Sequence, residues 1–88
     1  MEELIFDFLK DNGLFPFSVL YFTIKNVELL KISFYGEPDL DKLEELLDYH
    51  YSSDKSGLIE FERTHTVLIK GSILSRLINL VSKWKSNE

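Results

Sequence analysis

Residues 17–35 read FSVLYFTIKNVELLKISFY, and the fold turns on how their apolar side chains alternate. Leu20, Phe22 and Ile24 recur with period two in the first half, as Leu30, Ile32 and Phe34 do in the second. Successive side chains of a strand point to opposite faces, so each triplet marks one face of one strand. The two strands, residues 17–26 and 27–35, are expected to pair as an antiparallel hairpin with both triplets on a shared core. That pairing sets Ile24 opposite Leu30 and leaves Asn26, Val27 and Glu28 as a three-residue turn between Lys25 and Leu29.

Ahead of the hairpin, Leu4, Ile5, Phe8 and Leu9 share one helical face, and Asn12 with Gly13 supplies residues that end helices. A first helix over Glu2–Asp11 follows. Behind the hairpin, residues 36–39 break the strand, and Pro38 or Asp39 suits a helix start. Leu40, Leu43, Leu46 and Leu47 then form the buried stripe of a second helix running to about His50. After a polar loop at residues 52–57, the chain alternates again and ends in a helix that Ser72 is expected to cap. The apolar residues of that helix, Ile73, Leu74, Leu77, Ile78, Leu80, Val81 and Trp84, wrap more than one of its faces. Arg76, Lys83 and Lys85 fall toward its C-terminal half, where the helix dipole favours cations.

Residues 58–70 admit two readings. As one strand, Ile59, Phe61, Val67 and Ile69 share a face with Arg63 and His65, which puts a guanidinium in the middle of a core at a cost of several kcal/mol unless it is paired. A turn at Arg63, Thr64 and His65 removes that conflict and opposes Phe61 with Val67 and Ile59 with Ile69. The second hairpin is the favoured reading. The order becomes helix, hairpin, helix, hairpin, helix: an α+β fold, ββαββα-like after an N-terminal helix, with a small antiparallel sheet of three or four strands and helices packed mainly on one face. All 88 residues are expected to form one domain.

In this register Val19, Tyr21, Leu29, Tyr35, Leu58 and Leu68 fall on the outer sheet face, so that face is not cleanly polar. Three apolar helices also exceed what one narrow sheet can cover. Either the first helix crosses to the other face or a second copy does, and the expectation is a homodimer.

The composition narrows the function classes. A hydrophobic fraction of 44% argues against disorder, and the absence of cysteine removes disulfides, thiolate metal ligands and cysteine nucleophiles. The start, Met1-Glu2-Glu3, lacks the positive charge of a secretory signal, and the longest apolar stretch, residues 14–24, is too short for a membrane helix. A cytoplasmic protein without a membrane partner is expected. Charge is sorted along the chain: residues 1–62 hold 14 acidic and 5 basic side chains, a balance of −9, whereas residues 63–88 hold 5 basic and 1 acidic, a balance of +4. The net of −5 disfavours nonspecific nucleic-acid binding, which depends on clustered Lys and Arg.

Candidate sites follow from these patterns. Asp41, Glu44, Glu45 and Asp48 sit opposite the leucine stripe of the second helix, forming a negative strip that suits a basic groove on another protein. With Tyr21 and Tyr35 on the outer face, they make up the expected partner-binding residues. The function they suggest is a small acidic interaction module, dimeric and non-catalytic, acting as an inhibitor or regulator. By analogy of size and charge, it suits an inhibitor carried by a virus or mobile element, or a toxin-neutralising protein.

An alternative assigns Arg63 and His65 to a phosphate-containing substrate, the guanidinium holding the anion and the imidazole acting as general acid or base. A further alternative has Arg76, Lys83, Trp84 and Lys85 contact nucleic acid by charge and stacking. His50, between Tyr49 and Tyr51, reads more simply as a cation at a helix C-terminus. Two histidines without metal-ligand spacing predict no metal, and the isolated glycines predict no phosphate loop or cofactor.

Overall fold

A computed structural model describes residues 1–36, 39–47, 59–63 and 65–87, and of residues 40 and 59–63 only the backbone. The elements are α1 (Glu2–Asp11), β1 (Pro16–Ile24), β2 (Val27–Phe34), α2 (Leu40–Leu47), β3 (Ile59–Arg63), β4 (Thr66–Lys70) and α3 (Gly71–Ser86). The four strands form one antiparallel sheet in the order β1-β2-β4-β3. This is the expected α+β fold with its N-terminal helix. Asp48, Tyr49, His50, Tyr51 and Leu58 lie outside the described residues.

Each helix begins or ends for a local reason. Two acidic residues in the first turn of α1 and Lys10 in its last oppose the helix dipole favourably. Gly13 then adopts φ +80°, a conformation that costs glycine little, and donates to the Lys10 carbonyl while Leu14 donates to that of Leu9. Leu14, buried, closes this end against the core. At α2, the Asp39 Oδ1 accepts the Lys42 amide at 3.1 Å, so Asp39 is the N-cap. Helix α3 departs from the expectation. It starts at Gly71, with Lys70 in the cap position and no side-chain cap, because β4 runs straight into it and Gly71 takes the corner at φ +68°. Ser72 is therefore not the cap.

The second hairpin pairs as expected: Phe61 lies opposite Val67 and Ile59 opposite Ile69, with a register shift between Phe61 and Arg63. The first hairpin does not. Ile24 lies opposite Val27, Tyr21 opposite Leu30 and Val19 opposite Ile32. Its connection is two residues, Lys25 and Asn26, both at positive φ (+50° and +68°), as in the mirror-image turns whose twist matches that of paired strands. The expected three-residue turn is thus replaced by one residue fewer, and β1 turns over relative to β2.

The consequence runs through the core. Leu30, Ile32 and Phe34 are buried as expected, but their companions from β1 are Val19 and half-buried Tyr21, not Leu20, Phe22 and Ile24. Against these strands and Val67 and Ile69 of β4 pack Ile5, Phe8 and Leu9 of α1, Leu43 and Leu47 of α2, and Ile73, Leu74, Leu77 and Val81 of α3. All three helices feed one core cluster on one side of the sheet, so α1 does not cross to the other. Each fully buried Val, Leu or Ile contributes about 1.5–3 kcal/mol over leaving it exposed. The central strands β2 and β4 supply four such side chains, Leu30, Ile32, Val67 and Ile69.

The turn makes this register testable. Placing a β-branched residue in the left-handed conformation costs about 1–2 kcal/mol. Asn26→Val should lower the urea-derived stability by roughly that amount. Lys25→Asn with Asn26→Gly should leave stability equal or higher, since Asn-Gly is the favoured pair for this turn. The opposite ranking would contradict the two-residue turn.

Candidate functional site

With the helices on one side, no described helix covers the other side of the sheet. The register places Ser18, Leu20, Phe22 and Ile24 of β1, Val27, Leu29, Lys31 and Ser33 of β2, and Thr66, Leu68 and Lys70 of β4 on it. Leu20, Ile24 and Val27 are 49%, 51% and 49% exposed, values that belong to surface side chains. Phe22, Leu29 and Leu68 are half-buried between them. Six apolar residues thus form one patch at the hairpin-turn end of the face. Beyond it lies a hydroxyl strip, where the Ser33 and Thr66 oxygens are 3.3 Å apart.

An aromatic corner continues from the opposite end of the hairpin. Phe15, Phe17 and Tyr35 are 69%, 53% and 79% exposed, and the Phe17 and Tyr35 rings meet at 5.4 Å between centroids with 52° between planes. The Tyr35 amide donates to the Phe15 carbonyl at 3.4 Å, holding the two ends together. Phe15 and Tyr35 flank an open groove lined also by Gly13, Leu14, Phe34, Gly36 and Asp39. Aromatic side chains are the residue class most enriched at protein contacts, because they bury large areas with few rotatable bonds.

The β1 edge of the sheet is guarded. β1 is an edge strand, and the outward Tyr21 amide donates to the Glu2 Oε2 at 2.7 Å. A carboxylate seated on an edge amide obstructs addition of a further strand there. The patch, rather than this edge, is the open surface.

The expected site residues divide accordingly. Tyr21 is not on the outer face: the two-residue turn rotates it to the helix side, where it packs half-buried against the core. Its phenol donates to the Glu28 carboxylate, which together with burial and the Glu28 charge raises its pKa above the ordinary 10.0. Tyr35 does stand exposed. Val19 likewise moves from the outer face to the core, whereas Leu29 and Leu68 remain where they were expected. Asp41 and Glu45 are exposed on α2, with Glu44 half-buried, opposite buried Leu43 and Leu47. The acidic strip of α2 therefore belongs to the helical layer, on the other side of the molecule from the apolar patch.

The residues of the nucleic-acid alternative have internal engagements. The Trp84 Nε1 donates to the Asp11 Oδ2 at 3.0 Å, and its ring meets that of Phe8 edge-on at 5.7 Å, which ties α3 to α1. The Arg76 guanidinium donates to the Leu47 carbonyl at 3.1 Å, the last residue of α2, where a cation complements the helix end. Lys83 and Lys85 are exposed in the last turn of α3. His65 is exposed at the turn between β3 and β4, and its carbonyl accepts the Phe34 amide at 2.8 Å. The Arg63 side chain lies outside the described residues, so the structure describes no convergence of the pair. Among the described residues there is no cluster of three or more His, Asp or Glu able to hold a metal, and no helix long and apolar enough to cross a membrane.

The outer-face membership of Leu20, Phe22 and Ile24 is what sequence reasoning missed. The signal was Lys25-Asn26, a pair whose second member tolerates the left-handed conformation. Compared with known proteins, the chain matches no family model, no curated protein and no solved structure.

Two measurements check these assignments. Trp84→Ala should cost about 2 kcal/mol, below the 3–5 kcal/mol of a fully buried ring, while Lys83→Ala should stay within about 0.5 kcal/mol. Equal small effects would contradict the Trp84 tie. Because hydrogen bonding to Glu28 favours the protonated phenol, the stability Tyr21 contributes is present below its unfolded pKa and lost as pH rises through the raised folded value. Glu28→Gln should return the Tyr21 ring titration, followed by NMR, toward 10.0. An unchanged titration would contradict the contact.

Proposed function

We propose that this protein is a non-catalytic docking module whose working surface is the outer face of its sheet, away from the described helices. The observation that supports this is the patch of Leu20, Phe22, Ile24, Val27, Leu29 and Leu68, three of whose members are about half exposed with no described helix over them. Contiguous apolar surface of several hundred Å² is rare on a monomer and marks a contact site more often than not. The energetic reason is direct: covering it gains about 25 cal/mol per Å² of apolar area.

The acidic strip Asp41, Glu44 and Glu45 on α2 is a second, separate surface, because a flat partner covering the sheet cannot reach the helical layer behind it. Asp48, which belongs to the same expected strip, lies outside the described residues. A blocking or regulatory role suits a small acidic chain with one apolar and one negative surface. Inhibitors carried by viruses or mobile elements and toxin-neutralising proteins are proteins of that kind. Action in the cytoplasm suits a chain without cysteine. The nucleic-acid alternative is disfavoured by Trp84 and Arg76, whose polar groups bond within the fold.

Leu20→Lys with Ile24→Lys should keep the far-UV circular dichroism spectrum and lie within about 1 kcal/mol of the parent stability, since both sites are solvent-facing. The same variant should lose the association that the parent shows on chemical cross-linking in cells. Charge reversal at Asp41 and Glu45 should leave that association in place. Cross-linking that survives the lysines and vanishes on charge reversal would contradict the sheet face as the docking surface.

A further inference from the structure

We infer that Glu2 is a gatekeeper built into the fold, and that what it holds off is pairing of β1 with the β1 strand of a second copy. The surface concerned is the backbone edge of the sheet, not its apolar face, so it stands apart from the docking reading. The two edges of the sheet are built differently. β3 is five residues long, and three of them, Glu60, Glu62 and Arg63, are of charged type. Short length and charge are the usual defences of an exposed edge. β1 is nine residues long and is the one strand of the four whose sequence carries no charge.

Only the ends of β1 are defended from within. Pro16 and the register shift between Pro16 and Ser18 protect its first residues, and Lys25 follows its last. Between them, residues 17–24 read FSVLYFTI, rich in aromatic and β-branched side chains and without charge, glycine or proline. A segment of this composition lying on a sheet edge is a template for an identical strand.

The charge that β1 lacks comes from α1. The Glu2 Oε2 accepts the Tyr21 amide at 2.7 Å, so that amide points away from β2. Alternation along the strand turns the amides and carbonyls of Val19 and Thr23 the same way. These three positions, about 7 Å apart in succession, are the ones a further strand would hydrogen-bond. Glu2 sits on the middle one. An antiparallel β1 pair that uses all three sets Tyr21 opposite Tyr21 and Val19 opposite Thr23. The two Glu2 carboxylates would then meet at the two-fold axis, each displaced from the amide that the other strand needs. Crowding two like charges there, and taking from each its hydrogen-bond donor, opposes the pairing.

The full chain and its variants can be compared by size-exclusion chromatography with light scattering over two decades of concentration. Glu2→Ala should self-associate at concentrations about tenfold below those the parent needs. Glu3→Ala, which removes the other acidic residue of the same first turn, should match the parent. In Glu2→Ala, deuterium exchange at the Val19, Tyr21 and Thr23 amides should slow about tenfold as concentration rises through the association range. Adding Thr23→Lys, at an exposed position, puts a charge into the strand itself and should restore the parent's behaviour. If Glu2→Ala fails to fold, Glu2→Gln carries the comparison, because it keeps an acceptor for the Tyr21 amide and removes only the charge; it should associate more readily than the parent. A Glu2 variant that behaves as Glu3→Ala does, or one that associates without slowing those three amides, would overturn the gatekeeper.

Discussion

The two-residue turn at Lys25 and Asn26 is the constraint on which the rest of this structure hangs. Both residues take the left-handed conformation, and the turn they make fixes which residues of β1 and β2 oppose each other. Side chains alternate faces along a strand, so adding a single residue to that turn would exchange the two faces of β1 entirely. With it, Val19 and Tyr21 join Leu30 and Ile32 beneath the helices, and Leu20, Phe22 and Ile24 face away from them.

Hydrophobicity alone does not choose between these arrangements. β1 is apolar on both faces, with Val19 and Tyr21 on one and Leu20, Phe22 and Ile24 on the other, so either set can join a core even though the second is the larger. Backbone geometry settles it, since a tight mirror-image turn matches the right-handed twist of the strands and a polar residue such as Asn26 accepts the left-handed well. The apolar set that remains outside is then a result of the turn. A sheet with both faces apolar and its described helices on one side carries surface that water does not solvate well, and the docking reading proceeds from that imbalance.

Much of the architecture was legible because its signals are local. The spacing of Leu4, Ile5, Phe8 and Leu9 with the Asn12-Gly13 stop marks α1, Asp39 caps α2, and the cost of a mid-core Arg63 separates β3 from β4 in the pairing found. What escaped depends on chain segments far apart in sequence. Trp84 reads as a stacking platform until Asp11, 73 residues earlier, accepts a hydrogen bond from its indole N–H, and Arg76 reads as surface charge until the end of α2 comes within 3.1 Å. Ser72 reads as a cap because nothing in its neighbourhood shows that Gly71 turns the corner one residue sooner. The candidate surface was legible as an excess of apolar residues, but its membership followed the hairpin register and changed with it.

The hairpin register is most directly measured by cross-strand nuclear Overhauser contacts between α-protons, which are strong only between directly opposed, non-hydrogen-bonded residues of an antiparallel pair. The two-residue turn predicts them between Tyr21 and Leu30 and between Thr23 and Glu28. A contact pairing Lys25 with Leu29 or Ile24 with Leu30 instead would turn β1 over, bury Leu20 and Ile24, and contradict the account.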